Sequence, residues 1–259
     1  MKTLKKTMLY SIIMEEKITT KTPNEPKGPL VCVNIPEADY ARDPHTHQEL
    51  VHAIKNERAS RIAIEFDHGL QFIKKYPKSV TFYGSARFAD NNPHYKDAYH
   101  LAFKLSKLGY AVITGGGPGI MEGANRGAKE AGGASLGLNI ELSHEQILNP
   151  YTTDSLSFYY FFSRKTTMSF SAEAYIFYPG GFGTLDEFFE IVTLVQTRKI
   201  RTVPIILVGV DFWKPLQAFL EQECLVRHAT VNRRELGLYV ITDDHDEILD
   251  IITNSPVRD

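Results

Sequence analysis

From Ser79 onward, short apolar runs alternate with stretches of helical periodicity, and few folds accept that rhythm. The runs are SVTFYG (79–84), YAVIT (110–114), SLGLNI (135–140), AYIFYP (174–179), VPIILVG (203–209) and LYVI (238–241). Helical spacing is expected between them, near 94–108, 119–131, 156–172, 184–199, 212–227 and 244–253. Strands that are apolar on both faces belong in a parallel sheet covered on both sides. Strand–helix alternation with right-handed crossovers then gives an α/β, Rossmann-like, doubly wound parallel sheet flanked by helices on both faces. A chain of 259 residues, 43% of them hydrophobic, can fill the core of such a sheet.

Residues 79–259 are read as this nucleotide-binding domain. Residues 1–45 carry scattered Pro, Lys, Asn and Asp and read as an extended arm, with Leu30–Ile35 as a short strand. Residues 46–78 read as a helical extension, because Leu50, Ile54, Ile62, Phe66, Leu70 and Ile73 recur at helical spacing. The opening MKTLKKTMLYSIIMEEK has a short apolar stretch followed by Glu15 and Glu16 and lacks a small-residue cleavage site, so a cytoplasmic N-terminus is the reading. No apolar run reaches the ~20 residues of a membrane helix, so no membrane partner is expected. With 29 basic against 31 acidic residues there is no excess of positive charge for nucleic acid. Two distant cysteines, Cys32 and Cys224, argue against a disulfide scaffold or a cysteine zinc site.

Ligands of open parallel sheets sit beyond the carboxyl ends of the strands. Three glycine-bearing loops fall there: Gly84-Ser85, TGGGPGIMEGANRGA (114–128) and YPGGFGTLDE (178–187). Neither a dinucleotide GxGxxG nor a phosphate-loop GxxxxGK[ST] is present, which disfavours ATP or GTP hydrolysis of that kind. GASLG (133–137) matches a serine-nucleophile pattern, but a helix precedes it and a strand follows, the reverse of what that motif needs.

Gly180, Gly181 and Gly183 let the backbone come close to a ligand, and Thr184 is expected to open a helix. Its first-turn N–H groups and dipole favour an anion, so a phosphate is the expected occupant. The plain alternative is a strand-to-helix turn. Glu187 lies one turn beyond Thr184 and faces either this ligand or solvent. Arg164 and Lys165 sit in the apolar SFYYFFSRKTTMSFSAEA, read as a long buried helix. There they want anionic partners, either a bound phosphate or Glu187, or else an interface ion pair. Tyr159, Tyr160, Phe161 and Phe162 read as core or dimer interface. HTHQELVH (45–52) and TDDHDE (242–247) read as helix starts rather than metal sites.

GGGPGIMEGANRGA, GLNIEL, SRK and PGGFGTLDE, in this order and spacing, resemble the LONELY GUY family over roughly 79–253. The resemblance implies a homodimer that hydrolyses nucleoside 5′-monophosphates, AMP-like nucleotides or cytokinin ribotides, to free base and ribose 5-phosphate. It implies no cofactor and no metal. The PGGxGTxxE signature matches in full and ends at Glu187; the Arg-Lys pair falls at Arg164 and Lys165; Thr193 falls on a ligand-binding position. On this reading Glu187 and Arg164 are catalytic, while Gly180, Gly181, Gly183, Thr184, Lys165, Thr193, Ser85, Gly116 and Gly117 bind substrate. Where cytokinin-type members tend to read GGGxxGLMG, this chain reads GGGPGIMEG, which leans toward the broader bacterial branch. The rival readings are a nucleotide or phosphate-cofactor carrier on the same fold, and a sensor with residues 1–78 as its responsive element.

Overall fold

The computed structural model describes residues 57–141 and 148–255. The arm over 1–45, its Leu30–Ile35 strand, the HTHQELVH segment and the first part of the 46–78 extension lie outside the described residues. From Glu57 the extension is helical: α1 spans Glu57–Lys74.

Seven strands follow: β1 Ser79–Tyr83, β2 Ala111–Thr114, β3 Ser135–Ile140, β4 Asp154–Phe158, β5 Ala174–Phe177, β6 Ile205–Leu207 and β7 Val240–Ile241. They pair in the order β4-β3-β2-β1-β5-β6-β7, every pair parallel. The chain enters at the middle, winds outward through β2, β3 and β4, then returns to the other side of β1 and winds outward again. This is the doubly wound sheet expected from the sequence, and its direction reverses between β1 and β5. Five of the six crossings carry α2 Pro93–Lys107, α3 Ile120–Glu130, α4 Phe161–Ser169, α5 Phe182–Gln196 and α6 Val210–Phe219, the one from β3 to β4 passing through residues outside the described ones, and α7 His245–Thr253 comes last.

Every residue of β1, β2, β3, β5 and β6 is buried. One core, with Val80, Phe82, Val112, Ile176 and Ile206, packs under α2, α3 and α7. The other, with Tyr83, Ile113, Leu138, Tyr175 and Phe177, packs under α1, α4 and α5. Two glycines of the second loop, Gly123 and Gly127, belong not to the loop but to α3. A Cβ at Gly127 would stand 2.1 Å from the Tyr99 carbonyl and one at Gly123 2.8 Å from that of Tyr95, so α2 and α3 meet backbone to backbone.

The expected helix over 156–172 divides. Its first part is the edge strand β4, whose Leu156 and Phe158 turn inward while Ser155 and Ser157 face water, a period-two pattern. Only Phe161–Ser169 is helical, so the long buried helix is replaced by a short one. The 212–227 helix also divides, into α6 and a wider-wound π-helical turn over Leu220–Arg227. Trp213 sits in the first turn of α6, fully buried, with its indole N–H on the Val208 carbonyl at 3.1 Å. No helix among the described residues is long and apolar enough to cross a membrane.

Candidate active site

At the reversal between β1 and β5 the crossovers leave in opposite directions, and the gap between them is a cleft of about 600 Å³. Its walls are Tyr83 at the end of β1 with Gly84 to Arg87 after it, Gly115 and Met121 after β2, Arg164 and Met168 on α4, and Gly181 to Leu185 with Glu187 after β5. The loops interlock through their backbones. Ser85 N–H donates to the Pro179 carbonyl at 3.0 Å, and the Ser85 carbonyl accepts from Ile120 N–H at 3.0 Å. Gly119, at φ +70°, touches the same strand end, where a Cβ would lie 2.2 Å from the Ser85 carbonyl; only glycine fits.

The opening of α5 differs from the expectation by two residues. Gly181 is the N-cap and Phe182 the first helical residue; Thr184 comes within the first turn. Gly181 supplies no side-chain cap, and a Cβ at Gly181 or Gly183 would meet nothing within 4 Å. The head of α5 is therefore open to the cleft, with its first-turn N–H groups uncapped by any side chain, the arrangement an anion favours. Gly180 serves packing instead. Thr184 is buried against it, and a Cβ there would lie 2.2 Å from Oγ1 of Thr184.

Glu187 follows one turn down α5, in the cleft wall. Withdrawal from water pushes its carboxyl up to about 7 from the ordinary 4.5; the Arg164 charge opposes this and Asp186 adds to it. Arg164 is fixed from below, its Nε donating to the Leu138 carbonyl at 2.6 Å. Its Nη2 lies where a Cβ on Gly115 would stand, at 2.2 Å. That glycine is thus kept bare for the guanidinium, whereas the sequence pointed to the two glycines beside it.

Gly116 and Gly117 do not line the cleft. They are buried under Asn149, whose amide reaches the Gly116 and Gly117 carbonyls at 3.1 and 3.0 Å. Asn149 also meets Oδ1 of Asn125, which accepts from Thr114 Oγ1 at 2.6 Å. These two glycines are the rear support of the loop. Ser85 does line the cleft, with its hydroxyl turned to its own loop to accept from Arg87 N–H at 3.1 Å.

Lys165 points away from the cleft into an acidic pair on α5, Asp186 at 2.6 Å and Glu190 at 3.6 Å. Burial works against its charge, but these carboxylates outweigh that and hold its pKa above the usual value. Thr193 lies further down α5, exposed, with its hydroxyl on the Phe189 carbonyl at 2.7 Å, outside the cleft of a single chain. The aromatic run is not core: Tyr159, Phe161 and Phe162 are 55%, 60% and 46% exposed. In TDDHDE, Asp243 accepts from Gly209 N–H at 2.6 Å and Asp244 from Asp246 N–H at 2.9 Å, so both acids serve helix starts. Ser135 of GASLG opens β3 with its hydroxyl donating to the Asn125 carbonyl at 2.9 Å, away from the cleft. Two residues of the cleft that can hydrogen-bond a ligand through their side chains carried no signal in the sequence: Arg87, exposed at the rim, and Tyr83 in the wall.

A carboxyl raised from 4.5 to about 7 binds its proton more tightly folded than unfolded. Its contribution to stability is complete below about pH 4.5 and is lost as pH rises through 7. Glu187→Gln, which stays neutral, should therefore melt like the wild type near pH 4. In the unliganded protein above pH 8 it should gain on the order of 2–3 kcal/mol. Thermal unfolding across pH 4–9 is the check; a pH-independent difference contradicts the desolvated carboxyl.

A family model described as "Possible lysine decarboxylase" matches residues 121–252, more than half of the chain. A probable cytokinin riboside 5′-monophosphate phosphoribohydrolase of Oryza sativa subsp. japonica is 30% identical over 148 residues, 52% of this chain and 58% of that protein. A cytokinin riboside 5′-monophosphate phosphoribohydrolase of Arabidopsis thaliana is 29% identical over 157 residues, 57% of this chain and 70% of that one. The chain thus spans little more than half the length of the rice relative. Among solved structures, the molybdenum cofactor carrier protein of Chlamydomonas reinhardtii aligns with a TM-score of 0.49 at 20% identity, over 68% of this chain and 96% of that one. The molybdenum cofactor binding protein of Rippkaea orientalis aligns with the same TM-score at 21% identity, over 68% and 93%. By the family model, and by the motifs that end at Glu187, this chain belongs to the LONELY GUY family.

Proposed function

We propose that the cleft hydrolyses the N-glycosidic bond of a nucleoside 5′-monophosphate to free base and ribose 5-phosphate. The observation that carries this reading is the placement of Glu187. A carboxyl poised near neutrality stands one turn from an open helix head and faces an arginine. The helix head suits the 5′-phosphate, and binding a non-reacting group there spends its binding energy on fixing the sugar.

Breaking the bond from base to C1′ develops positive charge on the sugar, as in glycoside hydrolysis. Ionised Glu187 stabilises that charge and takes a proton from the attacking water. Water oxygen bonds to C1′, the C1′–N bond breaks with its electron pair going to the base, and the proton taken by Glu187 passes to the departing base, which restores the carboxylate. Arg164, held by the Leu138 carbonyl, orients the nucleotide against the carboxylate. Gly181 and Gly183 provide the phosphate cradle and Arg87 a cation at the rim. Glu187 lying in the wall beside the cradle favours hydrolysis over mere carriage, since a carrier has no need of a carboxylate that exchanges protons near pH 7. We propose further that two copies pair through the exposed aromatics of Tyr159, Phe161 and Phe162. Light scattering at micromolar concentration should give a dimer mass; a monomer removes this part of the reading.

Chromatography of a panel of nucleoside monophosphates should show released base with the wild type. Glu187→Gln and Arg164→Ala should each lose ~10²-fold or more in turnover. The wild-type kcat/KM should rise with pH through about 7 as Glu187 ionises. Binding without base release, or near-wild-type turnover by either variant, contradicts the proposal.

A further inference from the structure

Six tyrosines among the described residues are buried, and a buried hydroxyl ordinarily finds a partner. Tyr95 donates to Glu122 at 3.1 Å, Tyr110 to the Ile252 carbonyl at 3.3 Å and Tyr175 to the Ser169 carbonyl at 2.6 Å. Tyr178 donates to Asp97 at 2.7 Å and Tyr239 to Gln217 at 2.5 Å. Tyr83 is the sixth. Its residue is 4% exposed, and its hydroxyl alone among these six has no partner in the described structure.

The ring cannot turn elsewhere to find one. It is stacked on Phe177, centroids 4.8 Å apart and planes within 9°, and on Tyr175 at 6.4 Å. The residue ends β1 at the reversal of the sheet and lines the cleft together with Arg164 and Glu187. Burial and then the Glu187 charge push its pKa well above 10, so the hydroxyl keeps its proton and acts as a donor. A rigid, protonated donor with no protein partner at the wall of an open cleft is available to an oxygen of a bound ligand.

We propose that the Tyr83 hydroxyl donates to the 2′-hydroxyl of the bound nucleotide and so selects ribonucleotides over 2′-deoxyribonucleotides. This rests on the proposed function, which sets Glu187 against C1′; C2′ is the neighbouring carbon, and Tyr83 enters the same cleft from the sheet beside that carboxylate. A site built to hydrogen-bond a substrate hydroxyl discriminates strongly against the analogue lacking it, because its own polar group is then left unpaired.

Tyr83→Phe tests this, since it keeps the stacked ring and removes only the hydroxyl. Wild type and variant are compared on AMP and 2′-deoxy-AMP, by base release and by calorimetric titration. The variant should keep the wild-type melting temperature and lose about 10- to 100-fold in kcat/KM on AMP. On 2′-deoxy-AMP, already poor for the wild type, it should lose less than about threefold. Equal losses on both nucleotides, or no loss on AMP, overturn the assignment. A wild type that releases no base sinks the hydrolase reading instead. The ribo-against-deoxy difference in Kd between wild type and variant then still decides the role of Tyr83.

Discussion

The site depends on holding one half-buried, partly desolvated carboxyl beside one arginine. Glu187 is carried by the first turns of α5, and the position of α5 is fixed because β5 lies next to β1 in the sheet. Arg164 comes from a different crossover, α4, and is locked by the Leu138 carbonyl of β3. Two successive crossover helices, with β5 between them, thus bring these two side chains to the same cleft. The raised pKa of Glu187 means that Arg164 only partly offsets the cost of desolvation. The protein stores that cost where the proposed chemistry needs a group able to exchange protons near neutral pH.

The glycines divide the labour of keeping this geometry. Gly181 and Gly183 leave the head of α5 uncovered. Gly180 makes room for buried Thr184, and Gly115 for the Arg164 guanidinium. Gly119 lets the second loop touch the first, while Gly123 and Gly127 bring α3 against α2. Most of these glycines are packing devices; the ones left open are those that face the cleft. Lys165, too, supports rather than lines the cleft. By pairing with Asp186 and Glu190 it ties α4 to α5 and so holds Arg164 and Glu187 in register.

Much of this was legible in the sequence, because a central parallel strand leaves a continuous apolar run that no other element imitates. The six runs from Ser79 to Ile241 each contain a strand. The seventh, β4, was lost since DSLSF alternates as an edge strand does and runs directly into the aromatic FYYFF, which imitates helical spacing. Glu187 and Arg164 were legible from motifs, and both line the cleft. Gly115 was not, because which of three consecutive glycines meets the arginine is decided by a side chain from another element. Tyr83 was not, because in the sequence it is one more apolar residue of a buried strand. Only the census of hydroxyl partners sets it apart. Thr193 came from resemblance alone, and Lys165 from its place in an apolar segment as well; a single chain gives neither a place in the cleft, since Lys165 finds its anionic partners on α5.

The most direct test is to titrate the Glu187 side-chain carboxyl by carbon NMR in the unliganded protein, with and without Arg164→Ala. The midpoint should lie near pH 7 in the wild type and move higher when the arginine is removed. A midpoint near 4.5, unmoved by that substitution, would mean a solvated glutamate with no coupling to Arg164, and the proposed chemistry would lose its base.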